Sequence, residues 1–431
     1  MKIGIIGAGA TGLSAAYELS KNGHAVVVLE QEPFSGGLAG SFRVGSQCVE
    51  RFYHHIFTSD AALIALSAEL GLAARWQWLT PKNGFYINDR LYPFTTPVDL
   101  LRFGELRLRE RIALGSLVYR ARFIKDWRML EEQTAKEWLI RTAGEAVYAK
   151  VWGPLLDFKF GSDAAQVSAA WLWNKLKLRG STRRKGLRRE VLGYFEGGFQ
   201  PLYRALERAI RERGGVIRLS TPVRRLAVND DASIGLSGEN FEADFDRVVV
   251  TTAPAELLRF APQLPAAYRN QLAKIRYQAN LCLILEMTQP LSDYYWISVA
   301  QPELPFVAVI EHTNLVGPAA YGAHLVYLSR YLDGNARLFR ASDAQIAAEF
   351  CQGLQSIFPR WNPATVRRCH VMRARYSQPV VSTHYSQIRP GLETPLSGVY
   401  LATMAQIYPE DRGQNYAIEM GQAVARLVAG S

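Results

Sequence analysis

Cysteine is scarce: Cys48, Cys282, Cys351 and Cys369 are the four in 431 residues, and none stands at metal or redox spacing. That usage excludes a disulfide framework and suits buried thiols in a reducing compartment. No uninterrupted run of about 18 apolar residues occurs, which excludes a spanning helix. No charged stretch followed by an apolar h-region precedes the first strand, so no secretory signal is expected and a cytoplasmic setting is implied. HExxH, CxxC and GxSxG are all missing, so a hydrolase or metalloenzyme reading has no residues under it and no metal site is expected. Internal repeats and low-complexity tracts are absent too.

What is present is a chain with 48% apolar residues, enough to fill the cores of two or three domains. Its formal charge of +11 is unevenly placed. Arg102–Arg128 holds eight basic and three acidic residues, and Lys175–Arg189 holds eight basic and none acidic, so the rest of the chain sits near −2. The first stretch, leucine-rich with Arg102, Arg107, Arg109, Arg111, Arg120 and Arg122, reads as basic amphipathic helices. The second reads as a helix end and a mobile loop. Docking to an anionic membrane surface is one reading of this charge, at about 1 kcal/mol per basic residue near the surface. A polyanionic carbohydrate or diphosphate substrate is another, and a solvated face a third. Nucleic acid is disfavoured, because no recognised binding module accompanies the charge.

The strongest local signal runs from residue 3 to residue 30. An apolar strand, Ile3–Ile6, leads into Gly7-Ala8-Gly9-Ala10-Thr11-Gly12, a helix over Leu13–Asn22, a second strand, and Glu30. Gly7 permits the tight turn, Gly9 lets backbone approach a pyrophosphate, and Gly12 lets helix and strand pack closely. The helix start, with Ala10 and Thr11, offers unpaired N–H groups to phosphate. Glu30, 23 residues after Gly7, is placed to accept ribose hydroxyls, with Gln31 beside it. The pattern predicts a dinucleotide-binding βαβ unit.

A second glycine loop, Ser35-Gly36-Gly37-Leu38-Ala39-Gly40, follows at once, and nicotinamide cofactors do not need one. It resembles the extension of flavoproteins in the amine oxidase, protoporphyrinogen oxidase and phytoene desaturase superfamily. Many members carry Gly-Gly-Arg; here Leu38 replaces the arginine and removes a guanidinium contact. Thr221-Pro222-Val223 and Arg247–Pro254, with Thr252, resemble the second flavin-binding segment, where a valine backbone holds adenine. Gly398–Thr403 and Arg412–Gly421, with Gln414, Asn415 and Tyr416, resemble the last one, where a helix N-terminus faces the flavin ring and stabilises its negative charge when reduced.

The resemblance implies FAD as cofactor. It implies an α/β fold, α+β overall, with a Rossmann-like FAD-binding domain of the two-dinucleotide-binding-motif type and an interleaved substrate domain of mixed sheet plus helices. Residues 1–80, 191–265 and 396–431 would form the first domain, and residues 81–190 and 266–395 the second. The cofactor-binding set is then Gly7, Gly9, Ala10, Thr11, Gly12, Glu30, Gln31, Gly36, Gly37, Leu38, Ala39, Val223, Thr252, Thr403, Gln414, Asn415 and Tyr416.

Two residues are candidates for the chemistry. His55, in Arg51-Phe52-Tyr53-His54-His55-Ile56-Phe57, matches a His-Ile-Phe stretch of UDP-galactopyranose mutase and would lie near the flavin; a hydrogen-bonded histidine in an aromatic core is the alternative. Arg412, in Tyr408-Pro409-Glu410-Asp411-Arg412, is placed to hold a charged substrate group, or else belongs to an ordinary loop before a helix. A dense aromatic set, including Trp76, Trp78, Trp152, Trp171, Trp173 and Trp296, is suited to an apolar tunnel or to core packing. The expected function is FAD-dependent hydride transfer at a C–C or C–N bond of an apolar small molecule, in a cytoplasmic protein soluble or peripheral to the inner face of the membrane. The alternatives are a mutase-like flavin enzyme acting on a nucleotide sugar, and a non-catalytic flavin-fold binding protein.

Overall fold

Five short strands from three separated parts of the chain come together in one parallel sheet. In spatial order its strands are Val216–Arg218, Ala25–Leu29, Lys2–Ile6, Arg247–Val250 and Val399–Leu401. Strands buried on both faces carry continuous apolar residues, as Ala25–Leu29 and Arg247–Val250 do. The structure, a computed structural model, describes residues 1–181 and 190–430.

Helices Ala10–Lys21, Gln200–Glu212 and Gln414–Ala429 cover one face of this sheet. The first and last approach so closely that a Cβ on Gly421 would stand 2.4 Å from Thr11 O. The other face is covered by an antiparallel meander, Arg225–Val228, Ile234–Gly238 and Phe241–Phe245, and by helix Pro254–Phe260.

A second, seven-stranded sheet is interleaved with the first in chain order. It runs Val366–Pro379, Tyr277–Met287, His324–Leu332, Ala308–Glu311, Trp296–Val299, Asn83–Ile87 and Arg90–Pro93. All its pairs are antiparallel except Trp296–Val299 with Asn83–Ile87. Helices between residues 97 and 181 pack on one another around Trp138, Trp171 and Trp173. The mixed α/β architecture expected from the resemblance is the one observed.

Several elements depart from simple regularity. Val223 precedes its strand, which begins at Arg225. In the first basic stretch helix Leu108–Ala121 ends before a new turn starts at Arg128, where the Asp126 carboxylate accepts the Arg128 N–H at 3.0 Å. Helix 145–156 is broken by a wide turn at Tyr148–Trp152, and its continuation runs from Gly153 to Phe160. The fourteen-residue strand Val366–Pro379 has no counterpart in the sequence reading. It is an edge strand whose first half is largely exposed and arginine-rich, so it lacks the alternation that marks a half-buried strand. Of the second basic stretch, helix Ala169–Ser181 carries Lys175 and Lys177, while residues 182–189 lie outside the described residues.

Candidate active site

The turn after the first strand is set by two contacts that only glycine allows. Gly7 has φ +109°, and a Cβ on Gly12 would lie 1.9 Å from Gly7 O. Helix Ala10–Lys21 therefore starts directly above the strand end. Its first turn has no side-chain cap and no acidic residue, which leaves the N–H groups of Ala10, Thr11 and Gly12 for an anion.

The second glycine loop lies on the first. Gly36 N–H donates to Ala8 O at 2.8 Å, and Gly9 and Gly36 pair as an isolated parallel bridge. Gly36 and Gly37 both have positive φ, +104° and +57°. After them Ala39 packs into the core beneath the covering helices.

Glu30 is buried at the end of its strand. It accepts the N–H groups of Ala8 at 2.7 Å and Glu32 at 2.9 Å, and burial raises its pKa above the ordinary carboxylate value against the pull of those bonds. Gln31 beside it is exposed. Thr221 N–H donates to Glu30 O at 2.7 Å, which brings Val223 alongside.

On the other side of the first strand, Thr251 Oγ1 donates to Ile6 O at 2.8 Å and aims the next residue, Thr252, at the glycine turn. Thr252 Oγ1 is buried with no hydrogen-bond partner. The last helix begins at Gln414, again with no side-chain cap. Gln414 Oε1 accepts the Tyr203 hydroxyl at 2.7 Å, while its Nε2 is buried and unpartnered. Orphaned buried polar atoms are rare and mark a missing partner. Two of them, in the two segments assigned to the flavin, together with uncapped helix starts and the glycine cradle, fit the polar groups of FAD.

Not every assigned residue faces that cradle. Asn415 Oδ1 accepts the Ala62 and Leu63 N–H groups at 2.9 and 3.1 Å, and so holds the start of helix Ala61–Glu69. Thr403 N–H is bonded to Gln406 Oε1 at 2.7 Å, and Thr403 is almost fully buried. Tyr416, half-buried, has its pKa raised by burial first and by Glu410 next.

Leu38 reaches a small cavity of about 20 Å³ that Phe52, Tyr53, His54, Asn280, Tyr331, Ser377 and Arg412 also line. The histidine here is His54. His55 instead meets the Tyr295 hydroxyl at 3.0 Å and packs edge-on against Phe57, Tyr295 and Trp296, which is the aromatic-core alternative. His54 Nδ1 lies 2.6 Å from Phe52 O and so carries the hydrogen. Burial pulls its pKa down to about 4, and Arg412 adds to the effect, so the ring is neutral at pH 7. A larger groove, about 820 Å³ and lined by Arg43, Arg75 and Arg204, lies outside the glycine loop and touches none of the assigned residues.

Arg412 donates from Nε to Gln378 Oε1 at 3.0 Å and from Nη2 to the Tyr331 hydroxyl at 2.9 Å. Beside it stands a cluster the sequence reading missed. Lys175 Nζ is 2.5 Å from Asp411 Oδ2, and the Trp171 indole N–H donates to Asp411 Oδ1 at 2.8 Å. Lys159 Nζ lies 5.2 Å from the Tyr331 ring centre and 5.0 Å from that of Trp171. Burial pulls the Lys175 pKa down to about 8 against the attraction of Asp411. Burial alone would raise the Asp411 pKa, but Lys175, Lys159 and Arg412 outweigh it and hold the carboxyl well below its ordinary value. The signal that could have found the cluster is Lys159 and Lys175 on otherwise apolar helical faces, at Phe158-Lys159-Phe160 and Trp171–Leu176.

A family model described as flavin containing amine oxidoreductase matches residues 10–429. A Mycobacterium tuberculosis protein named as a flavin-containing monoamine oxidase, AofH, is 27% identical over 283 residues, which is 62% of this chain and 60% of that one. The match therefore spans under two thirds of that relative. The 15-cis-phytoene desaturase of Synechococcus elongatus is 23% identical over 438 residues, 93% of this chain and 90% of that one. Among solved structures, a protein of Exiguobacterium sp. 255-15 described as a protoporphyrinogen oxidase superposes with TM-score 0.77 at 19% identity, covering 100% of this chain and 99% of that one.

Proposed function

Because the chain belongs to the flavin-containing amine oxidoreductases, an FAD-dependent family of oxidoreductases, we propose that it moves hydride to or from a C–C or C–N bond of an apolar small molecule drawn from a membrane surface. The observation that carries the reading is the placement of Phe52, Tyr53 and Tyr331, with His54 and Arg412, around a small cavity of about 20 Å³ that Leu38 of the glycine loop also lines. Family membership makes the chain an enzyme, which disposes of the non-catalytic alternative.

FAD, when bound, supplies the hydride-exchanging centre, and the protein supplies orientation and electrostatics. Gly7, Gly9, Gly12, Gly36 and Gly37 would hold the pyrophosphate, Glu30 the ribose, and the start of helix Gln414–Ala429 the electron-rich edge of the ring. Phe52, Tyr53 and Tyr331 exclude water and offer flat apolar walls. His54, neutral and with Nδ1–H fixed on Phe52 O, presents Nε2 as a hydrogen-bond acceptor. The test is anaerobic. FAD-loaded protein should be bleached by apolar amine or polyene donors. Isomerisation of a nucleotide sugar by pre-reduced enzyme, with no net electron consumption, would establish the mutase chemistry instead.

The membrane part rests on residues 98–129. Val98, Leu101, Leu108, Ile112, Tyr119, Phe123 and Met129 are exposed, Phe123 by 64%, amid exposed Arg102, Arg107, Arg109, Arg120 and Lys125. Leu108, Ile112 and Tyr119 share one side of helix Leu108–Ala121, and Tyr119 packs against Phe123 just beyond its end. Apolar side chains ringed by arginine suit the headgroup layer of an anionic bilayer. No described helix is long and apolar enough to cross a membrane. The patch is continuous with the site: Trp127 packs edge-on at 4.9 Å against Tyr408, and Trp173 Nε1–H donates to Ala121 O at 2.7 Å from the helix that carries Lys175. Co-sedimentation with phosphatidylserine-containing vesicles should fall at least tenfold in an Ile112→Glu/Phe123→Glu protein, and should weaken at about 1 M salt, where the Debye length is about 3 Å. Equal sedimentation of both proteins would remove the membrane from the proposal.

A further inference from the structure

Strand Tyr277–Met287 is buried and apolar along most of its length, yet it carries Asn280, which is 2% exposed. Leu281, Leu283 and Leu285 pack toward helix Asp343–Ile357, while Cys282 and Ile284 pack with Val44 and Val49 on the opposite face. Alternation along the strand puts Asn280 on that opposite face, paired in register with Tyr331. A buried amide is costly unless its hydrogen bonds are made. Asn280 Nδ2 donates to Ser329 Oγ at 3.0 Å. Ser329 is fully buried and hydrogen-bonds Tyr53 in the sense that favours its ionised oxygen, so the serine hydrogen points there. That direction fixes the amide: turned over, Asn280 Oδ1 would face a serine oxygen with no hydrogen left to give. Oδ1 is therefore the end left over, and it is buried without a hydrogen-bond partner. It belongs to a residue that lines the cavity beside Leu38, as His54 does. His54 Nδ1 holds its hydrogen on Phe52 O, so Nε2 is a second acceptor there.

We infer that this cavity is a subsite for one uncharged O–H or N–H donor, filled by a hydroxyl or amino group at the end of the substrate, and that Asn280, with His54, selects for it. This rests on the reading of the cavity beside Leu38 as part of the substrate pocket. Its volume of about 20 Å³ suits one water-sized group. A methyl end would fit but would leave Asn280 Oδ1 buried and unpaired, which is the strongest kind of rejection a binding site makes. An ammonium end would stand beside the Arg412 guanidinium, and no carboxylate lines the cavity to receive it. A carboxylate end would meet two lone pairs and is larger than the space. A single ordered water is the same chemistry in the resting protein, and the substrate's donor would displace it. Asn280 thus acts as a specificity residue, favouring a substrate whose buried end bears oxygen or nitrogen over an unfunctionalised hydrocarbon.

Flavin difference absorption on the FAD-loaded protein tests it with benzyl alcohol, benzyl fluoride and toluene. The fluoride matches the alcohol in size and cannot donate. The alcohol should bind about tenfold or more tightly than either of the others. In Asn280→Leu the alcohol should lose about that factor while the fluoride stays within about twofold, and retained FAD absorption shows that the variant is folded. The preference in the unaltered protein is readable even if the variant does not fold. A crystal structure of the FAD-loaded protein separates the two sources of the donor: without probe, one water should lie within about 3.2 Å of both Asn280 Oδ1 and His54 Nε2, and with benzyl alcohol the hydroxyl should take its place. Water in that position with no preference among the three probes leaves a structural water only and overturns the substrate assignment. A dry cavity with Asn280 Nδ2 turned toward it overturns the inference outright. Selective binding of the alcohol by a protein whose flavin no donor reduces would defeat the hydride-transfer reading and leave the subsite standing.

Discussion

A Gly12→Val protein is expected to emerge from purification colourless, with FAD content below a tenth of wild type. The reason is steric and local. The first carbon of any side chain at position 12 would stand 1.9 Å from Gly7 O and 3.0 Å from the carbonyl carbon behind it, both backbone atoms. The contact can be relieved only by lifting helix Ala10–Lys21 off the strand end, which moves the N–H groups of residues 10–12 away from the pyrophosphate. Overpacking of this kind costs about 1–3 kcal/mol in the fold itself. A second loss follows from mass action: a cofactor held at about 1,000 times its Kd contributes about 4 kcal/mol of stability, and that contribution disappears with it. The melting temperature should therefore drop and should no longer respond to added FAD. Gly104→Ala is the matched control, since a Cβ there meets nothing within 4 Å. Stoichiometric FAD in Gly12→Val would show that the pyrophosphate lies elsewhere.

The second large effect is expected from Asp411→Asn. The carboxylate is 14% exposed and holds Lys175, Trp171 and Gln378. Breaking a buried ion pair from one side costs about 3–5 kcal/mol, because the partner charge is left without a counter-ion. Lys175 reaches solvent over a third of its side chain, so screening reduces the expectation to about 2–3 kcal/mol. The pH dependence distinguishes this cause from simple loss of packing. Asp411 has a lowered folded-state pKa, so its contribution is complete above the ordinary carboxylate range and is lost only in strong acid. Lys175 has a folded pKa near 8, held up by Asp411 against the pull of burial, so without Asp411 the lysine gives up its charge at lower pH than in wild type, and above about 8 neither protein carries it. Denaturant unfolding should show a larger penalty at pH 6.5 than at pH 9.5. A penalty of equal size at both would sink the electrostatic account. Adding Lys175→Gln to Asp411→Asn should recover part of the loss, since both charges then leave together.

What the sequence makes legible follows from how local each constraint is. Gly7, Gly9, Gly12 and Glu30 are readable because each does one thing no other residue type does as well, within a single strand–turn–helix unit. The parallel strands are readable because burial on both faces leaves an unbroken apolar run. The two histidines illustrate the limit. Adjacent positions on an irregular segment point to different sides, and nothing in Tyr53-His54-His55-Ile56 says which of them meets the cavity. Asn415 was assigned by its place in a motif, but its side chain is committed to another helix more than three hundred residues earlier in the chain. Lys175 reads in the sequence only as one member of a basic stretch, because a lysine contacting a carboxylate 236 positions away leaves no periodic trace.

The parallel sheet has one more consequence, and it concerns the order in which the chain is made. Strand Lys2–Ile6 is made well before its partners: its neighbour Arg247–Val250 follows more than 200 residues later, and the edge strand Val399–Leu401 more than 390 residues later. Until helix Gln414–Ala429 arrives, Thr11 and its helix lack the surface that Gly421 provides. The nucleotide cradle is thus begun long before it can be completed. Such long-range closure folds slowly and leaves apolar strands open to wrong partners in the interval. Cofactor supply therefore acts during biogenesis as well as in turnover: FAD captures the finished sheet, and a flavin-starved cell would be expected to accumulate this chain as aggregate before it accumulated it as apoprotein.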